Sequence, residues 1–590
     1  MPAPPFDLSI SELIWSSRYR LQEDGGESCI EKSWRRVAGA LASVEAGRRS
    51  YWKERFYQAL EDFRFIPGGR ILAGAGSARN VTLFNCFVMG RIGNSLGSIF
   101  DNLKEGALTM QQGGGVGYDF STLRPAGAGG SSPGPLACMK IWDSACEALL
   151  STATRRGAMM ATLRCDHPDI EAFVDAKRTP GLFRNFNLSV LVSDNFMGAV
   201  QEDQRWPLLY PAPELPDARR FPEQIRWRWS GTPLPCAVFR WIRARDLWEH
   251  IMRASYDTAE PGVLFIDHIN RMNNLGYRER ISATNPCGEI PLPPYGACDL
   301  GSINLTRFVR EPFGRNARLD MEGIRNTTAL AVRMLDNVIS LSRFPLPNQR
   351  RQSQGSRRIG LGITGLADAL IMLGLHYGTG EARDRAASVM EEICHAAYRA
   401  SIELAAEKGS FPFLDSEAYL KRPFIRNLPP DIRRGIAADG IRNSHLIAIA
   451  PTGTISLLAN NISSGIEPVF DLHYRRRIRT SGEEYREQEL TDYALRLWQK
   501  MHPEEPLPAH FVTARQLSPH HHMLMQAALQ PFVDNAISKT INVPQEVGFD
   551  AFRTIYEEAW RQGLKGCTTF RPNPVRGELL TSAGDLPCCH

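Results

Sequence analysis

The sequence predicts an α/β protein, and three observations carry that expectation. Apolar runs of strand length alternate with segments of helical spacing along most of the chain. Several such runs break at glycine turns before an apolar helix, as in RRIGLGITGLADALIMLGLHYG at 357–378. The 590 residues are ample for a large core. Length alone suggests roughly two to four domains, although one big α/β barrel can absorb the whole chain.

Composition narrows the function classes. Hydrophobic content of 43% and charged content of 23% are ordinary for a soluble globular protein. A net charge of +5, from 69 basic and 64 acidic residues, does not mark a nucleic-acid binder. No apolar run approaches the ~20 residues of a membrane helix. The N-terminus MPAPPFDLSISELIW lacks the charged-then-apolar order of a secretory signal, so a cytoplasmic location is expected. Twelve cysteines follow no regular framework, which in a reducing compartment means mostly reduced thiols with a few that do redox chemistry.

Taken in order, residues 1–65 read as a helical cap, with polar and apolar residues mixed at helical spacing through SWRRVAGALASVEAGRRSYWKERFYQALEDFRF. PGGRILAGAG at 67–76 reads as a turn-rich opening, and VTLFNCFVM at 81–89 as a buried strand bearing Asn85 and Cys86. In MQQGGGVGYDFSTLRP at 110–125 a helix gives way to Gly113, Gly114, Gly115 and Gly117, which let backbone approach a ligand or simply turn tightly. A loop at 126–135 leads to a helix that ends in the basic turn Arg155, Arg156 and Gly157. FNLSVLVSDNFM at 186–197 is a strand and a capped helix, and the Trp-, Pro- and Arg-rich 203–240 is an insertion or surface hairpin. Residues 256–274 are expected to run helix, turn, strand.

Polar chemistry concentrates in ISATNPCGEIPLPPYGACDLGSINL at 281–305. Prolines 286, 291, 293 and 294 exclude a helix and favour a rigid irregular loop. Period-two alternation in an extended segment would put Asn285, Cys287 and Glu289 on one side, with Cys298 further along. Beyond the long amphipathic helix at 381–408, HLIAIAPTGTISLLANNISSGIEPVF at 445–470 reads as an apolar strand ending at Pro451, Thr452, Gly453, Thr454, Ile455 and Ser456. Unpartnered N–H groups at such a strand-to-helix junction suit an anion. YRRRIRT at 474–480 is a solvated basic face, and ISKTINVP at 537–544 a late strand. His520, His521 and His522 are adjacent rather than spaced as metal ligands, so no metal site is expected.

NPCGEIPLP followed by C-x-LGSINL resembles the finger loop of ribonucleotide reductases, and similar segments recur along most of the chain in that family's order. Together they most resemble the class II, adenosylcobalamin-dependent enzymes. The resemblance implies a ten-stranded α/β barrel of two antiparallel five-stranded halves over residues 66–575, threaded by the finger loop 281–305. An N-terminal helical cap at 1–65 and a flexible tail at 576–590 would flank it. The cap is too short to hold the regulatory nucleotide-binding cone of some reductases as well, so no overall activity site is expected. Asn85, Gly114 and the segment Pro451, Thr452, Gly453, Thr454, Ile455 would bind substrate. Arg155, Arg156 and Gly157 would form the loop that couples effector and substrate sites.

Replacing a ribose 2'-hydroxyl with hydrogen is hard by polar routes, and a radical at C3' removes the difficulty. That chemistry needs a thiol able to become a thiyl radical, a base for the 3'-hydroxyl and two reducing thiols. Cys287, Glu289, and Cys86 with Cys298 fit these roles, with Asn285 bonding the substrate hydroxyls, and the resemblance assigns the same ones. Reductases that import their radical from a metal-bearing subunit carry paired tyrosines after a Leu-Lys near the C-terminus, whereas here Leu564-Lys565 precedes Gly566, Cys567 and Thr568. No glycyl-radical loop is recognisable either. By this elimination and by the likeness of MQQGGGVGYDFSTLRP and LKGCTTFRPNPVRG to class II segments, the resemblance implies adenosylcobalamin as the radical source; it favours diphosphate substrates, while the sequence itself does not separate them from triphosphates. Cys588 and Cys589 in the tail TSAGDLPCCH would relay electrons from a thioredoxin-like reductant, although family tails space their cysteines more widely. A homodimer and a nucleoside triphosphate effector of the dATP, dGTP, dTTP or ATP type are also expected. A class I large subunit and a silent nucleotide-binding regulator remain as alternatives.

Overall fold

A computed structural model describes residues 5–22, 26–130, 132–150, 158–179, 181–229, 231–479 and 485–572. The described residues divide into two compact units, one made of residues 5–85 and 297–542, the other of residues 86–296 and 543–572. Both mix helices with sheet, as expected. Within each unit the strands pair as an open series rather than a closed ring.

The second unit carries the larger sheet. Strands Cys86–Val88, Gly115–Asp119, Met159–Arg164, Phe186–Val192 and Gly262–Phe265 lie side by side in chain order, each parallel to the next. Gly566–Phe570 adds antiparallel beyond Gly262–Phe265. Parallel neighbours need crossovers, and the helices Leu96–Gln111, Gly134–Leu150, Ile170–Asp175, and Asp194–Gln201 with Ala244–Thr258, supply them in turn. Two of these helices start on a serine cap: Ser95 accepts from the Ser98 N–H and Ser193 from the Phe196 N–H. The strands are buried along nearly their whole length, which is why they read as continuous apolar runs.

Several local expectations change. The strand foreseen over 81–89 is only Cys86–Val88, and the turn-rich 67–76 contains the helix Gly69–Gly74, because Ile71 and Leu72 gain burial by coiling. Residues 256–274 run helix, strand, helix, with the strand at Gly262–Phe265 and the second helix at Ile266–Arg271. Residues 445–450 form only isolated bridges, Leu361 to Ile447 and Ile449 to Ile537. The segment 203–240 is more than a hairpin. Arg205–Pro211, Gln224–Arg228 and Pro233–Arg243 make a three-stranded antiparallel sheet over a small core of Leu209, Tyr210, Trp229 and Cys236.

In the first unit, Phe65–Pro67 pairs antiparallel with Ala297–Asn304, which runs parallel to Ile359–Thr364. The helix Met321–Leu341 packs on this sheet, Arg49–Leu60 on its strand Phe65–Pro67, and Ile30–Ala42 and Gly380–Lys408 pack in turn on Met321–Leu341. They bury one ionic cluster. Glu45 accepts from Arg333 Nε at 2.8 Å, Asn337 Nδ2 at 2.8 Å and Lys408 Nζ at 3.0 Å, and Arg333 also reaches Glu407. Although burial opposes ionisation, these donors hold the Glu45 carboxyl down at about 2.

Candidate functional site

The segment 281–305 begins as a hairpin rather than an extended loop. Ala283–Thr284 pairs antiparallel with Pro291–Leu292, and the chain reverses between them. Asn285 N–H donates to the Ile290 carbonyl at 3.3 Å, and Gly288 N–H to the Asn285 carbonyl at 3.1 Å. Gly288 takes φ +84°, a left-handed conformation that glycine adopts without penalty. The Asn285 side chain closes the turn by accepting from the Ile290 N–H at 3.0 Å. Asn285 and Glu289 therefore meet across a turn, and not through the period-two alternation expected from the sequence.

Their meeting point includes a third residue, Cys86. Asn285 Nδ2 donates to Glu289 Oε2 at 2.9 Å and to Cys86 Sγ at 3.2 Å, and the Cys86 thiol lies 3.8 Å from Glu289 Oε1. All three are buried, whereas Cys287 at the tip is exposed. Nothing lies within 4 Å of where a Cβ on Gly288 would sit, so the space beside the tip is open. Burial pushes the Glu289 carboxyl from 4.5 up to about 7, while hydrogen bonds from Asn285, from its own N–H and from Cys86 pull it back. A carboxyl held near neutrality beside a thiol and an amide can accept a proton at physiological pH.

The parallel sheet holds this hairpin. A Cβ on Gly117 would fall 1.9 Å from the Thr284 carbonyl oxygen, so only glycine lets the hairpin base approach the strand Gly115–Asp119. Thr162 Oγ1 donates to the Ser282 carbonyl at 2.9 Å, and Asn187 Nδ2 to the Pro286 carbonyl at 2.9 Å. Downstream, Tyr295 bonds Glu105 at 3.1 Å, and its ring fills the space where Gly90 lacks a side chain. Thr162, Asn187 and Tyr295 carried no motif. Their only sequence signal was a polar residue in an otherwise apolar strand or loop.

The other expected residues fall as follows. Gly114 backs onto the Phe87 ring, 2.6 Å from where its Cβ would be, which gives it a packing reason to be glycine. Asn85 belongs to the first unit, and among the described residues its buried Oδ1 has no hydrogen-bond partner. Cys298 lies buried in the strand Ala297–Asn304 of the same unit, its thiol 3.3 Å from the Asp299 carbonyl. Pro451 to Ile455 form a turn in which Thr452 has φ +53° and leads into the six-residue helix Gly453–Leu458. The Thr452 hydroxyl is engaged by the Gly465 N–H at 2.8 Å and by Thr364 Oγ1 at 3.0 Å. Arg155, Arg156, Gly157, Cys588 and Cys589 lie outside the described residues. Among the described residues no His, Cys, Asp or Glu cluster could hold a metal, and no helix is long and apolar enough to cross a membrane.

A parallel sheet that presents a thiol at a hairpin tip, above a carboxyl, an amide and a second thiol, defines a class of thiol-based oxidoreductase architecture. Comparison with known proteins gives it a family. Residues 84–570 match the ribonucleotide reductase barrel domain and residues 7–80 the ribonucleotide reductase all-alpha domain. The chain belongs to the ribonucleotide reductase family. It is 36% identical to the vitamin B12-dependent ribonucleoside-diphosphate reductase of Mycobacterium tuberculosis (strain CDC 1551 / Oshkosh), over 97% of this chain and 80% of that one. It is 33% identical to the protein of that name from Thermoplasma acidophilum, over 90% and 66%, and 27% identical to a ribonucleoside-diphosphate reductase subunit alpha of Chlamydia pneumoniae, over 96% and 59%.

Proposed function

We propose that this chain is an adenosylcobalamin-dependent ribonucleoside-diphosphate reductase. The observation that carries the reading is the exposed Cys287 thiol at the hairpin tip above the hydrogen-bonded set Asn285, Glu289 and Cys86. An exposed sulfur beside open space at Gly288 fits a bulky cofactor that must reach it from outside. Adenosylcobalamin, when bound, supplies the unpaired electron by homolysis of its cobalt–carbon bond.

Cys287, as a thiyl radical, takes the hydrogen atom from C3' of the ribose. Glu289 accepts the 3'-hydroxyl proton, and its near-neutral carboxyl suits that task. Asn285 orients the hydroxyls by hydrogen bonding. The 2'-hydroxyl leaves as water with a proton from one thiol of the Cys86 and Cys298 pair; the second hydrogen of the pair goes to C2', the pair gives up two electrons as it becomes a disulfide, and Glu289 returns its proton to the 3'-oxygen. Cys287 then returns its hydrogen atom to C3'. Thr452, Gly453, Thr454 and Ile455 hold the phosphates through backbone N–H groups, with Pro451, which has none, fixing the start of the turn and the Thr452 hydroxyl already engaged. Asn85, whose buried Oδ1 awaits a donor, and the Gly114 backbone complete substrate binding.

The same reading divides the chain into a helical cap at 1–65, a barrel at 66–575 and a tail at 576–590. Five consecutive parallel strands in one unit are compatible with half of a ten-stranded barrel whose two halves run antiparallel, with 281–305 as its finger loop. It also assigns Arg155, Arg156 and Gly157 to coupling with a nucleoside triphosphate effector, and Cys588 and Cys589 to exchange with a thioredoxin-like reductant. Homodimerisation is supported by apolar residues exposed on two neighbouring helices: Leu96 at 72%, Phe100 at 48% and Leu108 at 40% on one, and Ile141 on the other.

The test is reduction of a ribonucleoside diphosphate by the purified chain with dithiothreitol, with and without adenosylcobalamin, for wild type and Cys287→Ser. Deoxynucleotide is expected only from wild type with the cofactor. Activity that instead requires an added metal-bearing subunit would overturn the cobalamin assignment. Inactivity under both conditions would overturn the catalytic one.

A further inference from the structure

We infer that the unit built from residues 5–85 and 297–542 carries an additional binding site for a di- or triphosphate group, in an arginine-lined cleft. The cleft holds about 240 Å³ and is lined by Arg55, Arg64, Arg307 and Arg310 beside Asp320. A second cleft of about 290 Å³ shares Arg64, Arg307 and Arg310 and extends over Met372, Tyr493 and Leu497. Four guanidinium groups from the helix Arg49–Leu60, from the approach to Phe65–Pro67 and from the turn after Ala297–Asn304 thus converge on one surface.

Their charge is not balanced locally. Arg310 pairs with Asp320 at 2.6 Å and Arg307 with Asp62 at 3.2 Å. Among the described residues neither Arg55 nor Arg64 makes a salt bridge, although Arg64 joins Arg310 in holding the Asp320 carboxyl low, and Arg55 Nε is buried with no hydrogen-bond partner. A buried donor without an acceptor is costly, and neighbouring like charges repel. An anion with more than one charge and several acceptor oxygens resolves both, and planar guanidinium forks match phosphate oxygens. Asp320 opposes an anion, but its carboxylate is engaged by Arg310 and by the Gly323 N–H at 2.8 Å at the start of Met321–Leu341. The apolar wall at Met372, Tyr493 and Leu497 adjoins the shared arginines, an arrangement that suits a nucleoside attached to the phosphates. The inference is independent of the hairpin site, and it names the chemistry common to a free polyphosphate and a nucleotide.

Equilibrium dialysis of the full chain against inorganic tripolyphosphate and against ATP tests it. The double variant Arg55→Gln/Arg64→Gln removes two cations without orphaning a carboxylate, and its thermal midpoint is expected to equal that of wild type. Tripolyphosphate affinity should fall by about tenfold or more, and wild-type binding should weaken with added KCl. The exposed pair Arg350→Gln/Arg351→Gln serves as a charge-matched control. Unchanged affinity in the cleft variant, or an equal loss in the control, would overturn the site. If wild type holds ATP more tightly than tripolyphosphate and Tyr493→Ala removes the difference, the natural source is a nucleotide. Equal affinities indifferent to Tyr493→Ala identify a free polyphosphate.

Discussion

Replacing Glu289 by glutamine should stabilise the fold while removing the proposed base. Glutamine keeps an acceptor for Asn285 Nδ2 and turns an N–H toward Cys86, so the local hydrogen bonds survive. What disappears is a carboxyl that burial raises from 4.5 to about 7. Between those values the folded chain keeps a proton that the unfolded chain has lost, so stability falls as pH rises. The protonated carboxyl's contribution is fully present below 4.5 and is gone above about 7. A shift of this size corresponds to about 3 kcal/mol. Urea titrations of wild type and Glu289→Gln at pH 5 and pH 8 measure it. The variant should lie within about 1 kcal/mol of wild type at pH 5 and exceed it by about 3 kcal/mol at pH 8. Its turnover number should drop by about 10²–10⁴. A gain equal at both pH values, or none at pH 8, would refute the claim that burial of this carboxylate is what the fold works against.

Three further outcomes are expected. In wild type, kcat/KM for deoxynucleotide formation should rise with pH through about 7, as the Glu289 carboxylate appears; a limb in the ordinary carboxylate range would contradict the burial argument. Gly117→Ala would drive a methyl into the Thr284 carbonyl, so the hairpin must shift; stability should fall by about 1–3 kcal/mol, with loss of activity exceeding loss of folded protein by circular dichroism. Arg333→Met leaves Glu45 buried with fewer donors and should cost about 3–5 kcal/mol at neutral pH, read by urea unfolding. That penalty should shrink as pH falls below 4.5 toward about 2, because protonated Glu45 no longer needs the cation.

By itself the sequence determined what depends on residues near one another in the chain. The alternation of strands and helices, the glycine turn after Ile359–Thr364 and the long helix Gly380–Lys408 follow from local pattern, whereas the segment around Cys287 turns back as a hairpin and not as the extended loop its alternation suggested. Local preference also excluded a helix around the prolines, whereas the positive φ of Gly288 emerges only with the hairpin. Only the tertiary structure decided how those pieces meet. Cys86 reaches Asn285 across 199 positions, and the carboxyl that joins them is raised by burial rather than by any neighbour in the chain. Gly117, Thr162 and Asn187 look like ordinary strand residues until the hairpin is laid against them. Arg55, Arg64, Arg307 and Arg310 form no run in the chain and become a cleft only when the helix Arg49–Leu60, the approach to Phe65–Pro67 and the segment after Ala297–Asn304 come together. Side-chain periodicity is set by backbone geometry over a few residues, whereas burial, charge balance and pKa are set by contacts between segments far apart in the chain.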